Sequence, residues 1–312
     1  MGHYHQPVLL EEVLAALAIR PQGIYVDGTL GTGGHALAIG QRLGQNGLLI
    51  GLDVDPEAIE IAKDRLQGLR CQWKIFKSNY AEVASLLADL DIIGVDGVLL
   101  DLGMSSLQLD YSGRGFSFSR DEPLDMRMDP EGTNPDAADL INSLSERELE
   151  NLLRRYGEER HAKRIAKAIV KARSEAPIKT SSQLAALVRA VYPPARGPVA
   201  RHPATRTFQA LRIAVNRELE NLESFLKQVP DVIRQGGRVV VLTYHSLEDR
   251  IVKQTMAFWE KGCTCPPDFP HCVCGKKATM RRIFKKAKRP SKEEVSKNPR
   301  ARSAILRAAE RV

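Results

Sequence analysis

Two carboxylates and a glycine-rich turn carry the chemistry this sequence can do. Asp27-Gly28-Thr29-Leu30-Gly31-Thr32-Gly33-Gly34-His35 follows the apolar run Ile24-Tyr25-Val26, and a second apolar run, Leu48-Leu49-Ile50-Gly51-Leu52, ends in Asp53. Glycines at such a turn let the backbone approach a ligand, and an acid ending the next strand can bind both hydroxyls of a ribose. The spacing is Gly-x-x-Gly-x-Gly-Gly, not the Gly-x-Gly-x-x-Gly that seats a pyrophosphate, so a nucleoside cofactor without phosphates fits better. S-adenosylmethionine is such a ligand. Asp53 would hold its ribose, the backbone of Gly33 and Gly34 would pack against its aminoacyl tail, and Asp27 would receive its ammonium directly or through water.

Asp101 ends the apolar run of the fourth candidate strand, and Asp101-Leu102-Gly103-Met104-Ser105-Ser106 sits where amino-group methyltransferases carry a short Asp/Asn/Ser-Pro-Pro-aromatic motif. An exocyclic amine on a base gives its lone pair to the ring. Acceptors for its N–H groups draw it towards a tetrahedral, nucleophilic geometry, and methyl transfer then depends mostly on placement. A cap on the following turn is the plainer role for Asp101. Carbon methylation would need a cysteine beside the cofactor, and Cys71, the only cysteine in the first half, precedes the third strand instead.

The elements that must position these residues alternate. Apolar runs at 24–27, 48–53, 73–77 and 95–101 read as strands, with helical patterns at 34–43, 56–66 and 80–89 between them, the second opened by Asp55-Pro56. This is the mark of a doubly wound, Rossmann-like α/β sheet. Residues 109–134 turn rich in glycine, proline and charge, and helical patterns follow without strands. Their start signals are Asn134-Pro135, Ser145 to Glu148 and Thr180 to Gln183, and their stops Gly157 and Pro177. An all-helical domain over 109–204 is therefore expected, inserted into a discontinuous one over 1–108 and 205–312. A long helix from about Thr207 to Lys227 precedes the run 237–244, and Met280 to Lys286 with Ser303 to Glu310 would close the sheet.

With 312 residues, 43% of them hydrophobic, the chain can bury a full core, and it shows neither a membrane-length apolar run nor a signal peptide's order. A soluble cytoplasmic protein is expected. The net charge of +8 suits a polyanionic partner.

Several stretches together are specific: His5-Gln6-Pro7-Val8-Leu9-Leu10, the turn at 27–35, Asp101 to Asp110, Arg114-Gly115-Phe116-Ser117-Phe118 and Pro123 to Met128. Tyr156-Gly157-Glu158-Glu159-Arg160, His202 to Gln209, His245-Ser246-Leu247-Glu248-Asp249-Arg250 and Asn298 to Ser303 join them. The chain resembles, nearly end to end, the RsmH (MraW) family of bacterial ribosomal RNA methyltransferases. The resemblance implies transfer of a methyl group from S-adenosylmethionine to N4 of a cytidine of 16S ribosomal RNA, in the decoding centre of the small subunit. It also implies cofactor contacts at Gly33, Gly34, His35, Asp53, Tyr80, Asp101 and Gln108, with Asp101 catalytic, and a helical insertion that recognises the substrate. The expected partner is small-subunit ribosomal RNA, with a homodimer possible and no membrane. The rivals are a nicotinamide-dependent dehydrogenase on a similar sheet and a non-catalytic RNA-binding assembly factor.

Other residues admit two readings. Arg201, Arg206, Arg212 and Phe208 have the mixture that holds RNA phosphates and an unstacked base, or else they form an ordinary helix start. His245 would face the same sheet end as Asp101 and bind the target base, or it lies in a loop beside a Ser246–Asp249 capping box. Tyr111, Phe116 or Phe118 would stack on a flipped base, or Phe116 and Phe118 anchor the insertion's core. Cys263-Thr264-Cys265 and Cys272-Val273-Cys274, beside His271, admit zinc, but their Cys-x-Cys spacing is tighter than the usual knuckle and a redox-inert hairpin is the alternative. No metal site is expected. The run Lys276 to Arg289 is basic enough to touch RNA or is simply a solvated face.

Overall fold

Strands form on the four apolar runs, and each ends at the carboxyl side where the candidate site residues stand. The computed structural model describes residues 7–193, 202–263, 265–266, 269–271 and 273–312; His5, Gln6, Arg201 and Cys272 lie outside the described residues. The order is α1 (Leu10–Leu17), β1 (Ile24–Asp27), α2 (Gly34–Gly40), β2 (Leu48–Asp53), α3 (Pro56–Leu66), β3 (Gln72–Lys77), α4 (Val83–Asp89) and β4 (Val95–Asp101). β4 is buried up to its last residue, as a strand covered on both faces must be. α3 begins at its sequence signal: the Asp55 carboxylate accepts from Glu57 N at 3.2 Å, and Pro56 takes the first helical position. The pattern at 80–89 is a 3-10 turn, Tyr80–Glu82, leading into α4.

The chain divides into two compact units. One runs to Gly103 and resumes at Leu219, and the other is Met104–Glu218. The second unit holds α5 (Ser106–Asp110), α6 (Ala137–Ser143), α7 (Glu146–Gly157), α8 (Ala162–Glu175), α9 (Ser181–Val191) and α10 (Thr205–Asn216). Among its described residues there is no strand beyond an isolated bridge between Pro123 and Thr180. The capping boxes at Ser145 and Thr180 form as the sequence predicts, whereas α6 is capped by Asp136 with Asp139, just beyond Asn134-Pro135. Its core joins Leu149, Leu153, Ile165, Ile169 and Leu211 to Phe116 and Phe208.

The long helix expected over 207–227 is two helices, α10 and α11 (Glu218–Val232). Arg217 stands between them at φ +51°, in the left-handed region that ends a helix. The Arg212 guanidinium forks onto Glu218, Nε to Oε1 at 2.8 Å and Nη2 to Oε2 at 2.9 Å, with both side chains nearly buried. That pair fixes the chain on either side of the break.

The sheet resumes with β5 (Ile233–Thr243), followed by α12 (Ser246–Glu260), β6 (Met280–Arg282), α13 (Lys292–Lys297) and β7 (Ile305–Arg311). Seven strands run in the order β3-β2-β1-β4-β5-β7-β6, all parallel along β3 to β5, with β7 antiparallel to both neighbours. Alternation along β4 feeds two apolar layers. Leu99 packs with Leu17, Ile39, Leu66 and Leu242 on one face, and Val98 and Leu100 pack with Leu87, Phe225, Val241 and Val252 on the other.

Candidate cofactor and catalytic site

Strand order reverses between β1 and β4, since the chain leaves β1 towards β2 and β3 and then returns to the other side. In open parallel sheets a ligand crevice lies at the carboxyl ends of the strands beside such a point. Three acids occupy those ends on adjacent strands: Asp53 on β2, Asp27 on β1 and Asp101 on β4. The turn after β1 needs its glycine at position 33. There φ is +78°, in the left-handed region that strains a side chain, and an added Cβ would lie 3.3 Å from Cβ of Ala62 on α3, so glycine lets turn and helix approach without strain.

Backbone N–H groups hold the first two acids. Asp27 is buried and accepts from Thr29 N at 3.2 Å. Burial pushes its carboxyl up to about 7; His35 and the Thr29 bond oppose the rise, and the charges of Asp101 and Asp53 add to it. Asp53 accepts from Gly31 N at 2.7 Å and from Asp55 N at 2.9 Å. Burial lifts it to about 6 despite those bonds.

Asp101 caps no helix; Ser105 caps α5. Instead, Oδ1 of Asp101 accepts the Tyr244 hydroxyl at 2.7 Å, Oδ2 lies 3.4 Å from Nδ1 of His35, and its backbone N donates to Oγ1 of Thr29 at 2.6 Å. Tyr244 directly follows β5, the strand beside β4. Burial, then the Asp101 charge, raise its phenol well above the ordinary tyrosine value, so it keeps its proton and donates. His35 has an oxygen before each ring nitrogen, Val8 O lying 3.0 Å from Nε2. Burial works against its charged form, but the Asp101 bond and the charges of Asp101 and Asp27 outweigh it, and the pKa is raised. An imidazolium is the form that donates in both directions.

Gly33, Gly34, His35, Asp53, Tyr80 and Asp101 thus lie in one unit, on the turns at its strand ends. Tyr80 follows β3 and meets Phe225 edge-on at 5.9 Å. Gln108 belongs to the other unit, where its side chain accepts from Ser105 N at 3.1 Å in the capping box of α5. Tyr244 is the residue that sequence reasoning missed. Its signal is an aromatic at the carboxyl end of the strand adjacent to that of Asp101.

The residues with two readings separate. His245 is itself the N-cap of α12: Glu248 N lies 3.4 Å from His245 Nδ1, and Glu248 Oε2 accepts from the backbone of Tyr244 and His245. The expected Ser246–Asp249 box does not form, because Asp249 is engaged by Arg307 at 2.7 and 3.1 Å. Phe116 and Phe208 are core residues, Phe118 stacks on His202 at 4.3 Å, and Tyr111 is exposed. Arg212 is committed to Glu218, while Arg206 remains exposed with a bond to Glu158 O.

Comparison with known proteins shows the family. Residues 2–312 match the model of the MraW methylase family. The chain is similar to the ribosomal RNA small subunit methyltransferase H of Syntrophus aciditrophicus, 50% identical over 99% of this chain and 98% of that protein. It is also similar to that of Desulfosudis oleivorans, 51% identical over the whole of both. Among solved structures, an rRNA methylase from Streptococcus thermophilus covers 100% of this chain and 99% of its own at 9% identity and a TM-score of 0.43, a likeness too loose to add to these.

Proposed function

The chain belongs to the MraW methylase family, and on that premise we propose that it transfers a methyl group from S-adenosylmethionine to N4 of a cytidine in the decoding centre of 16S ribosomal RNA. Small-subunit ribosomal RNA is the substrate the relatives' names carry, and its cytoplasmic assembly gives the protein its compartment. The observation that supports an amine as acceptor is the Asp101 carboxylate, fixed by Tyr244 and flanked by His35 at the end of β4.

The residues fit the cofactor. Asp27 is a buried carboxyl whose ionisation wants a cation nearby, which an aminoacyl ammonium provides; Asp53, a carboxylate at the end of the neighbouring strand, is the acceptor for a ribose diol. When bound, S-adenosylmethionine supplies an electrophilic methyl group on a sulfonium. Asp101 accepts an N–H of the cytosine amine and so frees its lone pair from the ring. Tyr244 holds the plane of that carboxylate, and His35 balances its charge in the protein interior. As the N–C bond forms, the surplus proton passes to Asp101 or to water. No covalent enzyme intermediate is involved. The helical unit, read from sequence as 109–204, recognises the RNA in this scheme.

Mass spectrometry of 16S ribosomal RNA from cells lacking the protein, complemented with wild type or Asp101→Ala, tests the reading. Wild type restores an N4-methylated cytidine, and the variant loses roughly 100-fold or more in rate. Unchanged methylation by the variant would remove Asp101 from the chemistry. Calorimetric binding of a nicotinamide dinucleotide, with none of S-adenosylmethionine, would favour the dehydrogenase, and light scattering reports whether a homodimer forms.

A further inference from the structure

Between Trp259 and Met280 the described residues make a long excursion outside the apolar clusters. None of the described residues from Lys261 to Thr279 lies in a helix or strand or joins a hydrophobic cluster. Loops longer than about 12–15 residues without structure of their own are uncommon in compact domains. Phe269 and Val273 are at least half exposed, and Phe258 at the base lies open under the Lys276 ammonium, 3.2 Å from its ring centre. Polar bonds close its base: Thr279 N donates to Trp259 O at 3.0 Å, and the Lys276 ammonium donates to Phe258 O at 3.1 Å. Ordering such a loop needs a staple of another kind.

We propose that Cys263, Cys265 and Cys274 bind a zinc ion that ties this loop together. One donor sulfur from each falls within 4.8 Å of the others. The Cys263 and Cys274 sulfurs are 3.7 Å apart, far beyond a disulfide bond of about 2.05 Å. A zinc ion with tetrahedral Zn–S bonds of about 2.3 Å separates its sulfurs by about 3.8 Å, which matches. Cys265 N donates to the Cys263 sulfur at 3.4 Å, the kind of bond that steadies a coordinating thiolate. Gly275, at φ +62° with no atom within 4 Å of an added Cβ, turns the chain directly after Cys274. Cys272 stands in sequence two residues before Cys274, as Cys263 stands two before Cys265; the assignment rests on the three described sulfurs. The tight Cys-x-Cys spacing, unfavourable when read alone, is offset by the return of Cys274 across the loop.

Binding deprotonates each thiol and forms a Zn–S bond to each sulfur, with no change of oxidation state. Full-length protein purified without chelators is expected to carry zinc in stoichiometric amount by plasma mass spectrometry. After stripping, cobalt should produce thiolate charge-transfer and tetrahedral d–d absorption. Cys263→Ser and Cys274→Ser should each lose most of the metal, while Asp101→Ala keeps it, so failure here is distinct from failure of the methyltransferase reading. Should the serine variants prove insoluble, the wild-type cobalt spectrum still decides. Protein that takes up neither zinc nor cobalt, or whose cysteines are found joined as disulfides, overturns the assignment.

Discussion

At the residue scale, the site is a set of buried charges whose balance changes when a cation arrives. Asp27, lifted to about 7 by burial, is mostly protonated at pH 6 and mostly ionised at pH 8. A ligand ammonium binds the ionised form, so affinity for S-adenosylmethionine should rise about tenfold across that window. Asp27→Asn should bind weakly and flatten the profile; titration calorimetry at several pH values reads both. The same shift sets a stability trend. The folded chain holds this proton between about pH 4 and 7 where the unfolded chain has released it, so this group's contribution to stability falls as pH rises through that window. Tyr244 gives a separate prediction. Tyr244→Phe keeps the ring but drops the bond to Asp101, and kcat should fall roughly 10–100-fold with cofactor affinity nearly unchanged. Equal losses in both would mean that Tyr244 shapes the pocket rather than the carboxylate. Asp27, Asp53 and Asp101 were legible in the sequence because each ends an apolar run. Tyr244 was not, because its partner lies 143 residues away and only the strand order makes them neighbours.

At the element scale, local chemistry wrote most of the boundaries. Asp55-Pro56, the Ser145 and Thr180 boxes and the continuous apolar runs name their own ends. The break at Arg217 was invisible: no glycine marks it, and the Arg212–Glu218 pair that flanks the left-handed residue leaves no local signal. Arg212 illustrates the consequence. Read as a basic residue beside an aromatic, it suits RNA; in the fold it is the buried partner of Glu218. Arg212→Ala should therefore cost roughly 3 kcal/mol of stability, because it removes a forked charge pair from the nearly buried Glu218 carboxylate. Arg206→Ala, at an exposed position, should leave the melting temperature unchanged and weaken ribosomal RNA binding. Thermal denaturation alongside filter binding separates the two, and a stable Arg212→Ala protein with impaired binding would restore the RNA role.

At the scale of the whole molecule, the basic charge is not spread evenly. From Lys261 to Val312 the chain carries 15 lysines and arginines against 4 acids, so this segment alone exceeds the net +8 of the whole sequence. The remainder is slightly acidic, and a polyanion drawn to this protein is drawn to its C-terminal end. Lys285, Lys286, Lys288 and Arg289 are all exposed there, between β6 and α13, on the strand pair that closes the sheet. A charge that only solvates a face has no effect on RNA affinity beyond screening, whereas each one seated on a phosphate releases a counterion and steepens the salt dependence by up to about 0.9 in the logarithmic slope. Replacing the four by alanine should therefore reduce that slope by roughly 2–4 while leaving S-adenosylmethionine binding and the melting temperature as they were. Affinity for small-subunit ribosomal RNA measured from low to moderate salt gives the slope directly. An unchanged slope would make this basic end a solvated surface and move the phosphate contacts to the helical unit.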